Sequence, residues 1–388
     1  MLTQIINGHI LTPQGWLADG SVLISDGKIL EVTNSDLAVI GANVVDAKGM
    51  FIVPGFVAMN VHGGGGHDFT ECTEEAFRSA IDVHLKRGAT TIFPTLSASK
   101  AETILKGAAV CEHLMAEKKS PVLGLHLEGP YLNPKMAGHQ YGESIKEVDP
   151  EEYQTILGKT SCIKRWDVSP ELEGAHDFAQ YLRSKGILSA ITHTEAEYDE
   201  IRAAYQVGFT HAAQFYNAMP GFHKRREYKY EGTVESVFLT DEMTVEVIAD
   251  GKHLPSTILR LVYKLKGADK TCLVTDALSY AGCDKKPEAD SCIIIEDGVC
   301  KLADHSSLAG SIATMDVLVR TMVQKADIPL EDAIRMASET PARLMGVDDR
   351  KGSLQRGKDA DIVILDRKLN VRAVWSEGTL VSDTDTLV

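Results

Sequence analysis

No CxxC pair, no long apolar run and no excess of basic residues occur in this chain of 388 residues. Its seven cysteines, at 72, 111, 162, 272, 283, 292 and 300, are odd in number and scattered. That pattern argues against a disulfide framework and against a cysteine zinc site. Lys and Arg total 40 against 55 Asp and Glu, and the net charge of −15 disfavours nucleic acid or an anionic membrane as partner. No stretch of about 18 apolar residues is present, so no bilayer-spanning helix is expected. The opening MLTQIINGHI lacks a cationic start and apolar core, so the expectation is a cytoplasmic protein without a signal peptide. No GxGxxG follows a strand, no GK[ST] follows the glycine run 63–66, and no GxSxG elbow occurs. What remains, 44% hydrophobic and 24% charged residues, is an ordinary globular composition. At this length one large domain with a smaller companion is expected.

The first fifty residues read as short β segments (5–10, 20–25 and 28–32) punctuated by turns such as SDGK. The last forty do the same at 361–365, 371–375 and 379–381. The two ends are therefore expected to meet in a small β-sandwich domain made of 1–50 and 351–388. Between them, across 51–350, apolar runs alternate with helical patterns. Eight candidate strands stand at 57–62, 90–95, 122–128, 165–169, 188–193, 209–216, 244–250 and 272–276. Phe77, Ala80, Ile81, His84 and Leu85 share one face of an intervening helix that Gly88 stops, and Ser99-x-x-Glu102 has the form of a capping box opening the next. Eight βα units over this length predict a TIM (β/α)8 barrel, with an open doubly wound sheet as the alternative.

In such a barrel the chemistry gathers at the C-terminal strand ends. Strand one ends in Asn60-Val61-His62, strand three in His126-Leu127-Glu128 and strand five in His193. Strand six ends in Gln214 through Asn217, strand seven in Asp250 with His253 just after, and strand eight in Asp276. Alternation along a strand sends Asn60 and His62 the same way, and likewise His126 and Glu128. One buried His or Asp is usually structural; imidazoles and carboxylates at equivalent ends of five strands point instead to a divalent cation and metal-assisted hydrolysis.

The motifs PGFVAMNVHG (54–63), GLHLEGPYLNPKMAGH (124–139), FYNAMP (215–220), IADGKHLPS (248–256), VTDALSYAG (274–282), LAGS (308–311), ETPARLMG (339–346) and GKDADIVILD (357–366) run almost end to end. In this order they resemble the N-acetylglucosamine-6-phosphate deacetylase family of the amidohydrolase superfamily. The resemblance implies a metal-dependent barrel with a β-sandwich from both termini. It also implies hydrolysis of N-acetylglucosamine 6-phosphate to glucosamine 6-phosphate and acetate. The galactosamine epimer as substrate, and a sugar-phosphate-binding protein that has lost its metal, are the alternatives.

Carried over residue by residue, the resemblance makes Glu128 and His193 metal ligands and Asp276 the catalytic carboxylate that takes a proton from water and returns it to the leaving amine. The family places a third ligand, a histidine, where this chain has Gln214, and the superfamily's His-x-His on strand one reads Asn60-x-His62. One divalent ion held by Glu128, His193 and Gln214 with help from His62 is therefore expected: zinc, with iron, manganese or cobalt as alternatives. His211 stays open as a further donor, although alternation points it away from Gln214. His253 corresponds to the histidine near the acetyl carbonyl. His139, Asn217, Ala218, Ala309 and Gly310 correspond to positions around the sugar phosphate. The basic run 223–226 offers Arg225, or Arg226, as a phosphate anchor, and the family's use of this loop between subunits implies a homodimer.

Overall fold

A computed structural model describes residues 2–34, 39–138, 144–288, 291–384 and 387. The two ends of the chain do meet in one sheet. Its order runs Thr379–Asp383, Val371–Ser376, Ile362–Leu365, Phe51–Pro54, Leu2–Thr12, Gly15–Ser25 and Lys28–Thr33, with Asn43–Asp46 also beside Leu2–Thr12. Phe51–Pro54 lies past the boundary expected at residue 50. It pairs antiparallel with Ile362–Leu365 and so joins the N-terminal strands to the C-terminal ones. Ile10, Val22, Ile52, Ile362 and Trp375 pack in a core of this sheet's own. The closing GKDADIVILD motif serves this region structurally: buried Lys351 places Nζ 2.8 Å from Asp361 and 2.9 Å from Asp359.

Seven parallel strands form a curled half-barrel in the order Thr95–Leu96, Leu125–Glu128, Ile163–Val168, Leu188–Ile191, Phe209–Ala212, Thr244–Ile248 and Thr271–Val274. Phe56–Ala58 and Ala89–Ile92 pair parallel beside it. Backbone hydrogen bonds tie the segment after Phe56–Ala58 to both ends of the curl: Thr95 N to Val61 O at 2.9 Å, and Asp276 N to Asn60 O at 3.2 Å. Helices connect the strands. The helix Glu74–Leu85 buries Phe77, Ala80, Ile81 and His84 as the spacing predicts, and Thr73 caps its N-terminus. The next helix, Ala101–Met115, departs from expectation. Lys100 occupies its N-cap position, and Ser99 Oγ donates to Ser97 O at 2.7 Å, so the Ser99–Glu102 capping box does not form.

Strands five, six and eight stop sooner than their apolar runs suggest, for one local reason. His193, Gln214 and Asp276 take positive φ angles of 45°, 45° and 48°, which turn the chain out of the ladder. Left-handed backbone at non-glycine residues carries strain and concentrates at functional sites. Here it swings three candidate side chains over one end of the curl.

Candidate metal centre and active site

Glu128 is the hub of that end. It is fully buried; its Oε1 lies 2.8 Å from His193 Nε2 and its Oε2 accepts from Gln214 Nε2 at 3.1 Å. Gln214 Nε2 also donates to Asp276 Oδ1 at 3.0 Å, so one amide bridges two carboxylates. His62 arrives from strand one with Nε2 3.1 Å from Glu128 Oε2 and 3.3 Å from Asp276 Oδ1. Both are ion-pair contacts, and His62 Nε2 has no hydrogen-bond partner among the described residues.

The two imidazoles are oriented from behind. Ser97 Oγ lies 2.9 Å from His62 Nδ1, and the Met136 carbonyl lies 2.6 Å from His193 Nδ1. A carbonyl only accepts, so His193 donates from Nδ1 and directs Nε2 at Glu128, the arrangement usual for metal-binding histidines. Burial pushes the His62 imidazole down, but Asp276 and Glu128 hold it well above its ordinary range. Burial would push the Glu128 carboxyl up, yet His193 and His62 hold it well below the carboxylate range. A buried, unpartnered nitrogen facing two carboxylates is the environment a cation completes. His62, Glu128 and Asp276 offer ligand atoms all within 4.8 Å of one another, and this donor set suits a divalent ion.

Above the cluster opens a cavity of about 330 Å³. Of the residues singled out in the sequence, His193, Gln214, Asn217, Ala218, His253, Asp276 and Gly310 line it. His62 and Glu128 lie behind that lining, and Ala309 is buried between Leu308 and Gly310, which reach the wall. His253 is fixed by Asp250, which takes the imidazole Nδ1 at 2.8 Å and the His253 and Lys252 backbone N–H groups at 2.9 and 2.8 Å. His139 lies outside the described residues.

Arg225 is not brought to the cavity. It stands on a small hairpin of His223–Arg225 and Tyr228–Tyr230, ion-paired with Glu197 and 4.8 Å over the Tyr230 ring. Arg226 occupies the hairpin turn at φ 55° and is exposed. The cationic side chain that does line the cavity is Lys135, in a short 3₁₀ turn after Asn133, which sequence reasoning missed.

A second polar group was also missed. Beneath the cluster, Arg165 is fully buried between Asp167 and Glu246. Its Nε and Nη2 donate to Asp167 at 2.7 and 2.6 Å, and its Nη1 and Nη2 donate to Glu246 at 2.6 and 3.0 Å. Asn60, expected at the rim, instead donates to Glu246 Oε1 at 3.0 Å. His126 lies 3.0 Å from Asp167, and His211 lies 3.1 Å from Glu246 Oε2. His211 thus points inward but one layer below the metal centre, because the left-handed turn at Gln214 breaks the strand alternation used to place it. Charged residues two apart in KRWDV, and a lone Glu in the apolar run TVEVI, were the available signals.

The geometry has close counterparts. An N-acetylglucosamine-6-phosphate deacetylase from Haemophilus influenzae is 31% identical over 94% of this chain and 95% of its own. An N-acetylgalactosamine-6-phosphate deacetylase from Escherichia coli O157:H7 is 30% identical over 98% and 100%. Among solved structures, N-acetylglucosamine-6-phosphate deacetylase from Pasteurella multocida superposes with a TM-score of 0.92 at 28% identity, covering 98% of this chain and 99% of its own. A mutant of the Mycobacterium smegmatis enzyme in complex with N-acetyl-D-glucosamine-6-phosphate gives 0.90 at 29%, over 98% and 99%. Residues 51–381 match the amidohydrolase family, and the chain belongs to that family.

Proposed function

We propose that this chain hydrolyses N-acetylglucosamine 6-phosphate to glucosamine 6-phosphate and acetate. The observation that carries the reading is the convergence of His62, Glu128, His193 and Asp276 on one point beneath a sugar-sized cavity. Relatives named for this reaction, and a solved relative in complex with this sugar phosphate, support it.

In this reading Glu128, His193 and His62 hold one divalent ion, zinc by preference, with Gln214 able to offer its amide oxygen. A divalent ion there makes a water more acidic and polarises an amide carbonyl. Asp276, beside both His62 and Gln214, takes the proton of the attacking water and returns it to the sugar nitrogen, since an amine leaves poorly unprotonated. His253, steadied by Asp250, faces the acetyl carbonyl. Asn217, Ala218, the 309–310 backbone and His139 hold the sugar and its phosphate. Arg225 serves as phosphate anchor in a homodimer after leaving Glu197; Phe222 and Tyr228, 61% and 64% exposed at the hairpin, support burial of this surface against a second copy. Completion of the curl by Phe56–Ala58 and Ala89–Ile92 would make a (β/α)8 barrel to about residue 350, beside a small terminal β-sandwich that also takes in Phe51–Pro54. Seven free cysteines suit a reducing cytoplasm.

The test is acetate release from N-acetylglucosamine 6-phosphate by purified protein, after chelation and after restoring zinc, iron, manganese or cobalt. Metal-dependent turnover of the phosphorylated sugar, and none of the free sugar, is expected. Turnover of the galactosamine epimer alone would move the substrate to that epimer, for which the Escherichia coli O157:H7 relative is named. Full turnover by the metal-free protein would overturn the metal reading.

A further inference from the structure

The buried polar layer under the metal centre has no part in the proposed chemistry, yet it touches the centre at two places. We propose that Glu246 is a positioning residue that sets the floor of the metal site. The inference rests on the metal reading of His62, Glu128 and His193, and not on the identity of the sugar.

Glu246 Oε1 accepts three hydrogen bonds: from Asn60 Nδ2 at 3.0 Å, from Arg165 Nη2 at 3.0 Å and from the backbone N–H of Gln214 at 3.2 Å. The main chain adds a fourth tie, Phe215 N to Glu246 O at 2.8 Å. Strand seven therefore braces residues 214–215 through both side chain and backbone, at the point where Gln214 adopts φ 45°. A left-handed residue keeps such a conformation only when its surroundings hold it there. From that backbone the Gln214 amide reaches Glu128 and Asp276. The second contact runs through Asn60, two residues before His62, whose unpartnered Nε2 faces the same carboxylates.

Charge argues the same way. Arg165 faces two carboxylates, Asp167 and Glu246, all with fully buried side chains. Two carboxylates share this one guanidinium in a buried layer, and acidic groups there favour a cation directly above them.

The test uses Glu246→Gln and reads metal retention without any sugar present. Protein loaded with Zn²⁺ is titrated with EDTA, and the visible spectrum of the Co²⁺-loaded protein is recorded. Outer partners of metal ligands are worth about 10–100-fold in affinity or activity. Expected are a folded variant, about tenfold easier loss of Zn²⁺, altered Co²⁺ bands, and a fall in kcat with KM little changed. A folded variant that keeps parental Zn²⁺ retention and Co²⁺ bands would overturn the proposal, leaving Glu246 a structural residue only. Should Glu246→Gln not fold, Asn60→Ala removes one of the three donors and leaves the Arg165 pair intact. It is expected to weaken Zn²⁺ retention in the same direction, and parental retention there overturns the proposal equally. Failure of the deacetylase reading would show as no acetate release by a parent that still binds metal.

Discussion

Replacing Arg165 by Met isolates the energetics of the buried polar layer inside the curled sheet. Arg165 makes four charge-assisted hydrogen bonds of 2.6–3.0 Å to Asp167 and Glu246, with no solvent contact at any of the three side chains. Methionine matches the stem and leaves two buried carboxylates without their cation. Removing one member of a buried ion pair typically destabilises by about 3–5 kcal/mol, more than the intact pair contributes, because the orphaned charge stays desolvated. Urea unfolding followed by tryptophan fluorescence measures the difference.

The pH dependence gives this prediction a sign. In the parent, burial pushes the Glu246 carboxyl up, but Arg165 and His211 hold it well below the ordinary carboxylate range. A depressed carboxylate stabilises above its unfolded value of about 4.3 and loses that contribution as the pH falls through the folded value. Without Arg165, burial is opposed by His211 and by the Asn60 and Gln214 donors but no longer by the guanidinium, and a carboxyl raised above its unfolded value destabilises increasingly as the pH rises. The deficit of Arg165→Met is therefore expected to be larger at pH 8 than at pH 5. In the variant Arg165→Met/Asp167→Leu/Glu246→Gln, with no orphaned charge, most of the loss should return. A deficit below about 1 kcal/mol, or one equal at both pH values, would refute the reasoning.

Three further outcomes are expected. In the proposed reading Asp276→Asn removes the proton acceptor and puts an amide of the same shape in its place, so kcat for acetate release should fall by about 10²–10⁴ with KM nearly unchanged; a loss under tenfold would remove Asp276 from that role. Burial holds the His84 imidazole below its ordinary range, its Nε2 tied to Gly63 O at 2.9 Å. As pH falls through about 6.5 the unfolded chain takes up this proton and the folded one does not, so stability drops. The drop in urea midpoint between pH 7.5 and 5.5 should accordingly be smaller in His84→Gln than in the parent. At Gly55 an added Cβ would sit 2.0 Å from buried Thr90 Oγ1 and 2.9 Å from its Cβ. Gly55→Ala should thus destabilise by about 1–3 kcal/mol in the same urea assay, and a change under about 0.5 kcal/mol would show that the seam relaxes freely.

The union of the two chain ends in one sheet was legible because short apolar stretches and glycine turns, SDGK at 25–28 and SEG at 376–378, mark strands at both termini. The strand-end clustering of Glu128, His193, Gln214 and Asp276 was legible for a related reason: an apolar run that stops at a polar residue marks where a strand of the parallel sheet ends. What alternation could not supply was depth. It tells which side of a strand a residue takes, but Asn60, His126 and His211 share the inward side with His62 and Glu128 and still sit one layer lower. Depth depends on strand stagger and on where the left-handed residues break the ladder, and neither has a signature in composition. Arg225 illustrates a second limit. Its basic run was visible, but its partner Glu197 lies 28 residues away on another element, and only the folded chain brings the two together. The failed Ser99 cap is a third case: Ser97 O captured the hydroxyl, a local competition that serine is prone to.

The amide at position 214 then has a physical rationale of its own. Glu128 Oε2 and Asp276 Oδ1 are close enough to share one donor, so two negative charges face each other across the site. An amide nitrogen carries two hydrogens, and Gln214 Nε2 spends them on these two oxygens. When a cation takes over that neutralising role, a half-turn about the terminal torsion presents the amide oxygen with no change of protonation. An imidazole at 214 would need a proton to bridge the carboxylates and would have to release it to become a donor to a metal. The chain keeps two imidazoles at the centre all the same, His193 from strand five and His62 from strand one. His62 contacts the same pair of oxygens that Gln214 bridges. In the proposed metal reading the two residues are complementary: the neutral amide separates the carboxylates, and the histidine on strand one would supply the nitrogen donor that Gln214 lacks.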